Sequence, residues 1–304
     1  MNNVIITGAS GFIGVHLIHE LLRNDCYVIA VVRPNSNHIG RIPLDKRVNI
    51  IELDSKEIDL LPALIDEKQY DSFFHLAWEG IRAVQREDKV LQMKNYNNAV
   101  RAMETASLLK CKRFVGIGSQ AEYGNCAEKI TEETFPAPIT EYGKSKLNAY
   151  HTLKSVAVEK EIKFIWARIF SVYGKYDNED SLIMSTLKKL ILNENIQLTE
   201  CKQLWDFIHV TDAARALYQL GLYQIDALKY CGDLYNIASG ESKQLMEFVQ
   251  EMKQIVHSSS KLEFGAIPYG LEGIVSRNPS VDKLKNCINW SCQISFKDGI
   301  LELI

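Results

Sequence analysis

Thr7-Gly8-Ala9-Ser10-Gly11-Phe12-Ile13-Gly14 follows the apolar run Val4-Ile5-Ile6 and leads into Val15-His16-Leu17-Ile18-His19-Glu20-Leu21-Leu22. That order reads as a strand, a tight glycine turn and an amphipathic helix. The physics suits a dinucleotide. Glycine permits the turn and lets backbone approach a pyrophosphate, while the helix N-terminus offers free N–H groups and the positive end of its dipole. The spacing is Gly-x-x-Gly-x-x-Gly rather than Gly-x-Gly-x-x-Gly. Alone, the three glycines mark only a turn; between a strand and a helix they point to a cofactor.

Working outward, apolar runs alternate with helix-length stretches. Strands are expected at Val4–Thr7, Tyr27–Val32, Asn49–Leu53, Ser72–Leu76, Arg113–Gly118 and Lys163–Ala167, with helices at Lys94–Leu109 and Tyr142–Glu159. Continuous apolar strands separated by helices predict an α/β fold, a doubly wound parallel sheet of Rossmann-like type. Ligands then sit at the carboxyl ends of the strands. After about Gly174 the rhythm breaks into helical pieces at Leu182–Leu192, Ala213–Leu222 and Leu245–Val256. Residues 1–174 are expected to form the dinucleotide domain. Residues 175–304 are expected to form a smaller C-terminal α/β substrate lobe, with some segments returning to the first domain.

The 304 residues are 46% hydrophobic and carry a net charge of −3, which gives no electrostatic case for nucleic acid. No apolar stretch approaches membrane-spanning length, and the first strand begins at Val4, so neither a membrane span nor a leader is expected. Seven cysteines without Cys-x-x-Cys spacing predict reduced thiols in a cytoplasm, with neither a metal site nor a disulfide framework.

Tyr142-Gly143-Lys144-Ser145-Lys146 is the second decisive stretch. Tyr142 and Lys146 are four apart and share one helix face. A lysine ammonium beside a phenol favours the phenolate, so the tyrosine pKa is expected to fall toward neutrality. Such a phenol exchanges a proton with a substrate oxygen. Ser119 stands at the carboxyl end of Phe114-Val115-Gly116-Ile117 and opens Ser119-Gln120-Ala121-Glu122-Tyr123-Gly124. Its hydroxyl is placed either to hydrogen-bond a reacting carbonyl or to cap the chain turn.

Glycine turn, strand-end serine and Tyr/Lys pair, in this order, resemble the extended short-chain dehydrogenase/reductases, and more narrowly their nucleotide-sugar epimerases, dehydratases and 4-ketoreductases. Phe74-His75-Leu76-Ala77 resembles the strand that lines the cofactor. Arg168-Ile169-Phe170-Ser171-Val172-Tyr173-Gly174 and Asp206-Phe207-Ile208-His209-Val210-Thr211-Asp212 resemble two further hallmark segments. The resemblance implies Tyr142 as catalytic acid/base, Lys146 as the residue that lowers its pKa and binds the nicotinamide ribose, and Ser119 as the orienting hydroxyl. It implies that Gly8, Gly11, Phe12, Ile13 and Gly14 wrap the pyrophosphate and that Leu76 and Ala77 line the site. Asn95 helps hold the nicotinamide side, with Asn98 the rival alignment. Asp54 contacts the adenine or caps the next helix. Glu122, Tyr123, Ser171, Tyr173 and Arg277 are candidate sugar or nucleotide contacts, and each is equally readable as structural. A homodimer through the Lys94–Leu109 and Tyr142–Glu159 helices is implied by the family.

The second strand ends Val31-Val32-Arg33-Pro34-Asn35-Ser36-Asn37, without an acid to accept from ribose hydroxyls. Arg33 suits a 2′-phosphate through charge-assisted hydrogen bonds, helped by Ser36 or Asn37, with Arg41 a further clamp. NADP(H) is therefore expected over NAD(H). Dehydratases of the resembled family carry an Asp-Glu pair after the strand-end hydroxyl residue, where this chain has Gln120 and Ala121. Neither group titrates, which disfavours dehydration. Trp205 stands where many members have arginine; it resembles the 4-keto-sugar reductases of surface-polysaccharide pathways and reads equally as core. The expected reaction is NADPH-dependent reduction of a nucleoside-diphosphate 4-keto-6-deoxyhexose in deoxysugar biosynthesis. An NAD-retaining nucleotide-sugar 4-epimerase is the nearest alternative. A reductase of another small carbonyl and a non-catalytic NADP-binding redox sensor are the others.

Overall fold

The computed structural model describes residues 2–66, 69–126, 128–223, 233–269 and 275–304. Its strands are β1 (Asn3–Thr7), β2 (Tyr27–Val32), β3 (Val48–Glu52), β4 (Ser72–His75), β5 (Arg113–Ser119), β6 (Lys163–Ile169), β7 (Ser171–Tyr173), β8 (Ile196–Leu198), β9 (Leu204–Trp205), β10 (Phe207–His209), β11 (Leu234–Ile237), β12 (Lys243–Gln244) and β13 (Leu262–Phe264). Its α-helices are α1 (Phe12–Arg23), α2 (Leu61–Leu64), α3 (Lys89–Leu108), α4 (Glu141–Glu159), α5 (Leu182–Ile191), α6 (Val210–Leu222), α7 (Leu245–Ile255), α8 (Asp282–Ile288) and α9 (Phe296–Leu301).

Seven strands form one parallel sheet in the order β11-β6-β5-β4-β1-β2-β3. Val4, Ile5 and Ile6 of β1 are fully buried, as expected for a strand covered on both faces. One apolar layer packs α1 and α6 against the sheet through Leu17, Leu21, Phe74 and Leu217. The opposite layer packs α3 and α4 through Ala102, Phe114, Ala149, Leu153 and Trp166. Strand order reverses between β1 and β4, whose carboxyl ends pair in register at Thr7 and His75. A ligand crevice belongs at that switch point.

Several sequence-based element boundaries shift by one to five residues, most at the start of α3 and of α6. Helix α3 begins at Lys89, not Lys94, because the Asp88 carboxylate caps the amides of Val90 and Leu91. The second half contributes β11 to the central sheet and α6 to its face. The remaining lobe has its own core, built from Leu187, Leu190, Phe207, Phe248, Val249 and Met252. Five described cysteines are free thiols, whereas Cys287 is disulfide-bonded, which departs from the fully reduced expectation. Among the described residues no helix is long and apolar enough to cross a membrane, and no cluster of His, Cys, Asp or Glu is arranged to hold a metal.

Candidate active site

A cavity of about 360 Å³ opens at the switch point. Thr7, Gly8, Ser10 and Gly11 line one side, Arg33, Ser36 and Asp54 one end, and His75, Leu76, Ala77, Trp78 and Asn95 the other. Gly8 has φ +70°, a conformation costly for other residues, and a Cβ there would meet the Ala77 amide nitrogen at 2.8 Å. Glycine thus lets the first turn lie against the chain leaving β4. Gly11 is the N-cap of α1 and brings no side chain to cap its amides, so the first turn of Phe12, Ile13 and Gly14 keeps its donors for an anion. This cradle fits a dinucleotide pyrophosphate.

At the far end, Arg33 is exposed and lines the cavity. The Ser36 hydroxyl also lines it, held 3.0 Å from that of Ser10. Asn37 and Arg41 do not line it; the Arg41 guanidinium lies over the Tyr176 ring at 4.8 Å instead. Asp54 makes the cap foreseen for it and faces the cavity. Its carboxylate caps the following turn through the Lys56 amide at 3.0 Å, and it lines the cavity.

Asn95 is buried on α3, accepts from the Glu79 amide at 3.0 Å and donates to the Glu79 carbonyl at 2.8 Å. It holds the loop after β4 while lining the cavity, as Asn98 also does. Gln92, one helical turn earlier and fully buried, donates to the carbonyls of Gly80 and Gln85 and accepts from Trp78 Nε1 at 2.9 Å. Sequence reasoning did not find Gln92, Trp78 or a role for His75. His75 Nδ1 lies 2.8 Å from the Thr7 hydroxyl, and burial pushes its imidazole down to about 3, so the ring is neutral.

Behind Trp78 stand the three expected catalytic side chains. Thr140 caps α4 through the Gly143 amide. A Cβ on Gly143 would meet the Ala121 carbonyl oxygen at 2.6 Å, so glycine allows the start of α4 to close on the turn after β5. That contact brings the start of α4 to Ser119, whose hydroxyl favours the Tyr142 phenolate and also caps the Ala121 amide at 3.2 Å. Lys146 is buried, donates to the Ile117 carbonyl at 2.7 Å, and sits 3.6 Å from the centre of the Trp78 ring and 5.9 Å from that of Tyr142.

The electrostatics correct one expectation. Lys146 does not bring Tyr142 toward neutrality here. Burial raises the phenol above its ordinary value; Ser119 and Arg86 oppose the rise and Glu122 adds to it. The lysine is itself depressed to about 7 by burial, and its head group is directed to Ile117 and Trp78. Tyr142 therefore carries its proton at neutral pH.

Glu122, Tyr123, Tyr173 and Arg277 are all buried. Glu122 accepts from Ser119 N at 2.8 Å, Trp166 Nε1 at 3.1 Å and Arg168 Nε at 2.7 Å. Tyr123 donates to Asn236, Tyr173 packs on Phe296 and His209, and Arg277 donates to the Gly124 carbonyl. Each serves the packing beneath the site. Ser171 is half-buried and accepts from Trp205 Nε1 at 2.8 Å and Gln120 Nε2 at 3.3 Å, which places it beside the strand-end turn. The Asp206–Asp212 hallmark is structural in the same way. Asp206 accepts the amides of Ser239, Gly240 and Glu241, and Asp212 those of Gln293 and Ile294.

The model of the NAD dependent epimerase/dehydratase family matches residues 4–238. CDP-abequose synthase of Salmonella muenchen is 25% identical over 99% of this chain and 96% of its own. UDP-glucose 4-epimerase 2 of Arabidopsis thaliana is 25% identical over 99% and 92%. Among solved structures, the UDP-glucose 4-epimerase of Thermotoga maritima with UDP-glucose superposes with a TM-score of 0.86 at 20% identity, covering 99% of this chain and 96% of that one. The dTDP-glucose 4,6-dehydratase of Bacillus anthracis with NAD gives 0.81 at 21% identity, over 99% and 95%.

Proposed function

The chain belongs to the NAD-dependent epimerase/dehydratase family, and from that membership we propose that it reduces a nucleoside-diphosphate 4-keto-6-deoxyhexose with NADPH. The observation that carries this reading is Arg33, an exposed cation lining the cavity at the end of β2, where a carboxylate would repel a 2′-phosphate. Two further points support it. Gln120 and Ala121 cannot drive elimination, and CDP-abequose synthase is among the relatives.

When bound, the nicotinamide supplies the hydride. Gly8, Gly11, Phe12, Ile13 and Gly14 hold the pyrophosphate, and Leu76, Ala77 and Asn95 shape the nicotinamide end. The Ser119 hydroxyl orients the substrate oxygen. Tyr142, protonated at neutral pH, gives its proton to the developing alkoxide. Lys146 binds the ribose beside it. Ser171 is the one proposed sugar contact that retains open surface. Residues 1–174 form the nucleotide half apart from α6 and β11, and the rest the substrate lobe. We place the protein in the cytoplasm as a homodimer through α3 and α4, whose outer faces expose Val90, Met93, Leu108 and Val158.

The test follows NADPH and NADH absorbance with CDP-, dTDP- and GDP-4-keto-6-deoxyhexoses. Consumption of NADPH by one of them is expected. A clear NADH preference overturns the Arg33 argument. The second reading, a 4-epimerase, is favoured by the UDP-glucose 4-epimerase among the chain's relatives. It requires NAD that co-purifies and interconversion of sugars without net cofactor consumption.

A further inference from the structure

The segment between β4 and α3 folds back over the first turn of α4. Its short 3₁₀ turn, Ala83–Glu87, carries Arg86, whose guanidinium carbon lies 5.1 Å from the centre of the Tyr142 ring. Lys146 Nζ is 5.9 Å from the same point and is engaged by the Ile117 carbonyl and the Trp78 ring. Arg86 is thus the nearer cation to the centre of the Tyr142 ring, and among the described residues no second ring or backbone carbonyl outside its own segment engages it as Ile117 and Trp78 engage Lys146. Its Nε is buried without a hydrogen-bond partner among the described residues. A guanidinium N–H withdrawn from water without a partner is unfavourable unless the charge has something to act on.

Arg86 is also held in place. Gln92, fully buried on α3, binds the carbonyls of Gly80 and Gln85 and the Trp78 indole, and Asn95 clamps both backbone groups of Glu79. These tethers ahead of Arg86, with the Asp88 cap on the Val90 and Leu91 amides behind it, fix the segment that presents the guanidinium, so its field at the phenol is preorganised.

We propose that Arg86 is an electrostatic positioning residue for Tyr142, supplying the positive charge that steadies the phenolate left when the proton passes from the Tyr142 oxygen to substrate. The electron pair of the broken O–H bond stays on the phenol oxygen, and Arg86 offsets that charge. The other groups facing the phenol are the Ser119 hydroxyl and the Glu122 carboxylate from the turn after β5, and Lys146 from α4 itself. Ser119 and Arg86 favour the phenolate, whereas burial and Glu122 oppose it. The inference rests on Tyr142 being the acid of the proposed reduction.

The test reads the phenol directly. A difluorotyrosine at position 142, intrinsically more acidic, brings the titration into a mild pH range and gives a single fluorine resonance. Arg86→Met should move its midpoint upward by about one unit, and Arg86→Lys should restore most of the shift. Arg86→Gln serves as the uncharged variant if Arg86→Met does not fold. An unchanged midpoint in the uncharged variant overturns the proposal. Because the titration needs no substrate, a shifted midpoint with no nucleotide sugar reduced would leave this inference standing and sink the functional reading alone.

Discussion

Replacing Glu122 by glutamine separates the buried role of this residue from the substrate contact its sequence position implied. The carboxylate is fully buried and is ringed by three donors: the Ser119 amide, the Trp166 indole and the Arg168 guanidinium. Arg168 is 2% exposed and its Nε lies 2.7 Å from Glu122. Glutamine keeps one acceptor oxygen but turns an NH₂ toward donors and leaves Arg168 as an uncompensated buried charge. Breaking a buried pair from one side costs about 3–5 kcal/mol. Unfolding entropy of roughly 2.1 cal/mol/K per residue, over 304 residues, amounts to about 0.64 kcal/mol/K. Glu122→Gln should therefore lower Tm by about 5–8 °C, measured by calorimetry on cofactor-free protein at neutral pH. Adding Arg168→Met should recover part of the loss, since the stranded charge is then gone. An unchanged Tm with a raised substrate KM would refute the reasoning and return Glu122 to the sugar.

Tyr142→Phe should abolish turnover while cofactor affinity, read by fluorescence titration, stays within a few-fold. Gly8→Ala places a Cβ against the Ala77 amide at a positive φ, and should weaken cofactor binding by at least about tenfold in calorimetric titration. Arg33→Ala should raise the KM for NADPH by about 10- to 100-fold and leave that for NADH nearly unchanged. Burial holds Lys146 near 7, below the ordinary lysine value of 10.5, so between those two pH values the unfolded chain binds a proton that the native one does not. The destabilisation from Lys146 is full below about pH 7 and fades as pH rises toward 10.5. Lys146→Met should stabilise the protein by up to a few kcal/mol at acidic to neutral pH, with the gain shrinking in alkali; a gain that grows with pH would contradict this.

Sequence alone determined the sheet and the cofactor end of the site, because both are written locally. A parallel strand covered on both faces needs a continuous apolar run, so β1, β2 and β5 stand out as such. A strand, a glycine turn and a helix that are contiguous in the chain form one anion cradle without help from elsewhere. The four-residue spacing of Tyr142 and Lys146 likewise fixes a shared helix face. The short strand β11, Leu-Tyr-Asn-Ile, was not legible, since its membership of the sheet depends on pairing with β6 from far along the chain.

Tertiary structure decided the electrostatics. Whether the lysine charge acts on the phenol depends on what else surrounds it, and Trp78 and the Ile117 carbonyl come from other elements. Arg86 reaches Tyr142 only because Gln92 and Asn95 fold the intervening loop back over α4. Burial set the fate of Glu122, Tyr123 and Tyr173, whose residue types suit a substrate pocket as well as a core. Local pattern specifies which groups are present; desolvation and through-space charge, which depend on the whole fold, specify what those groups do.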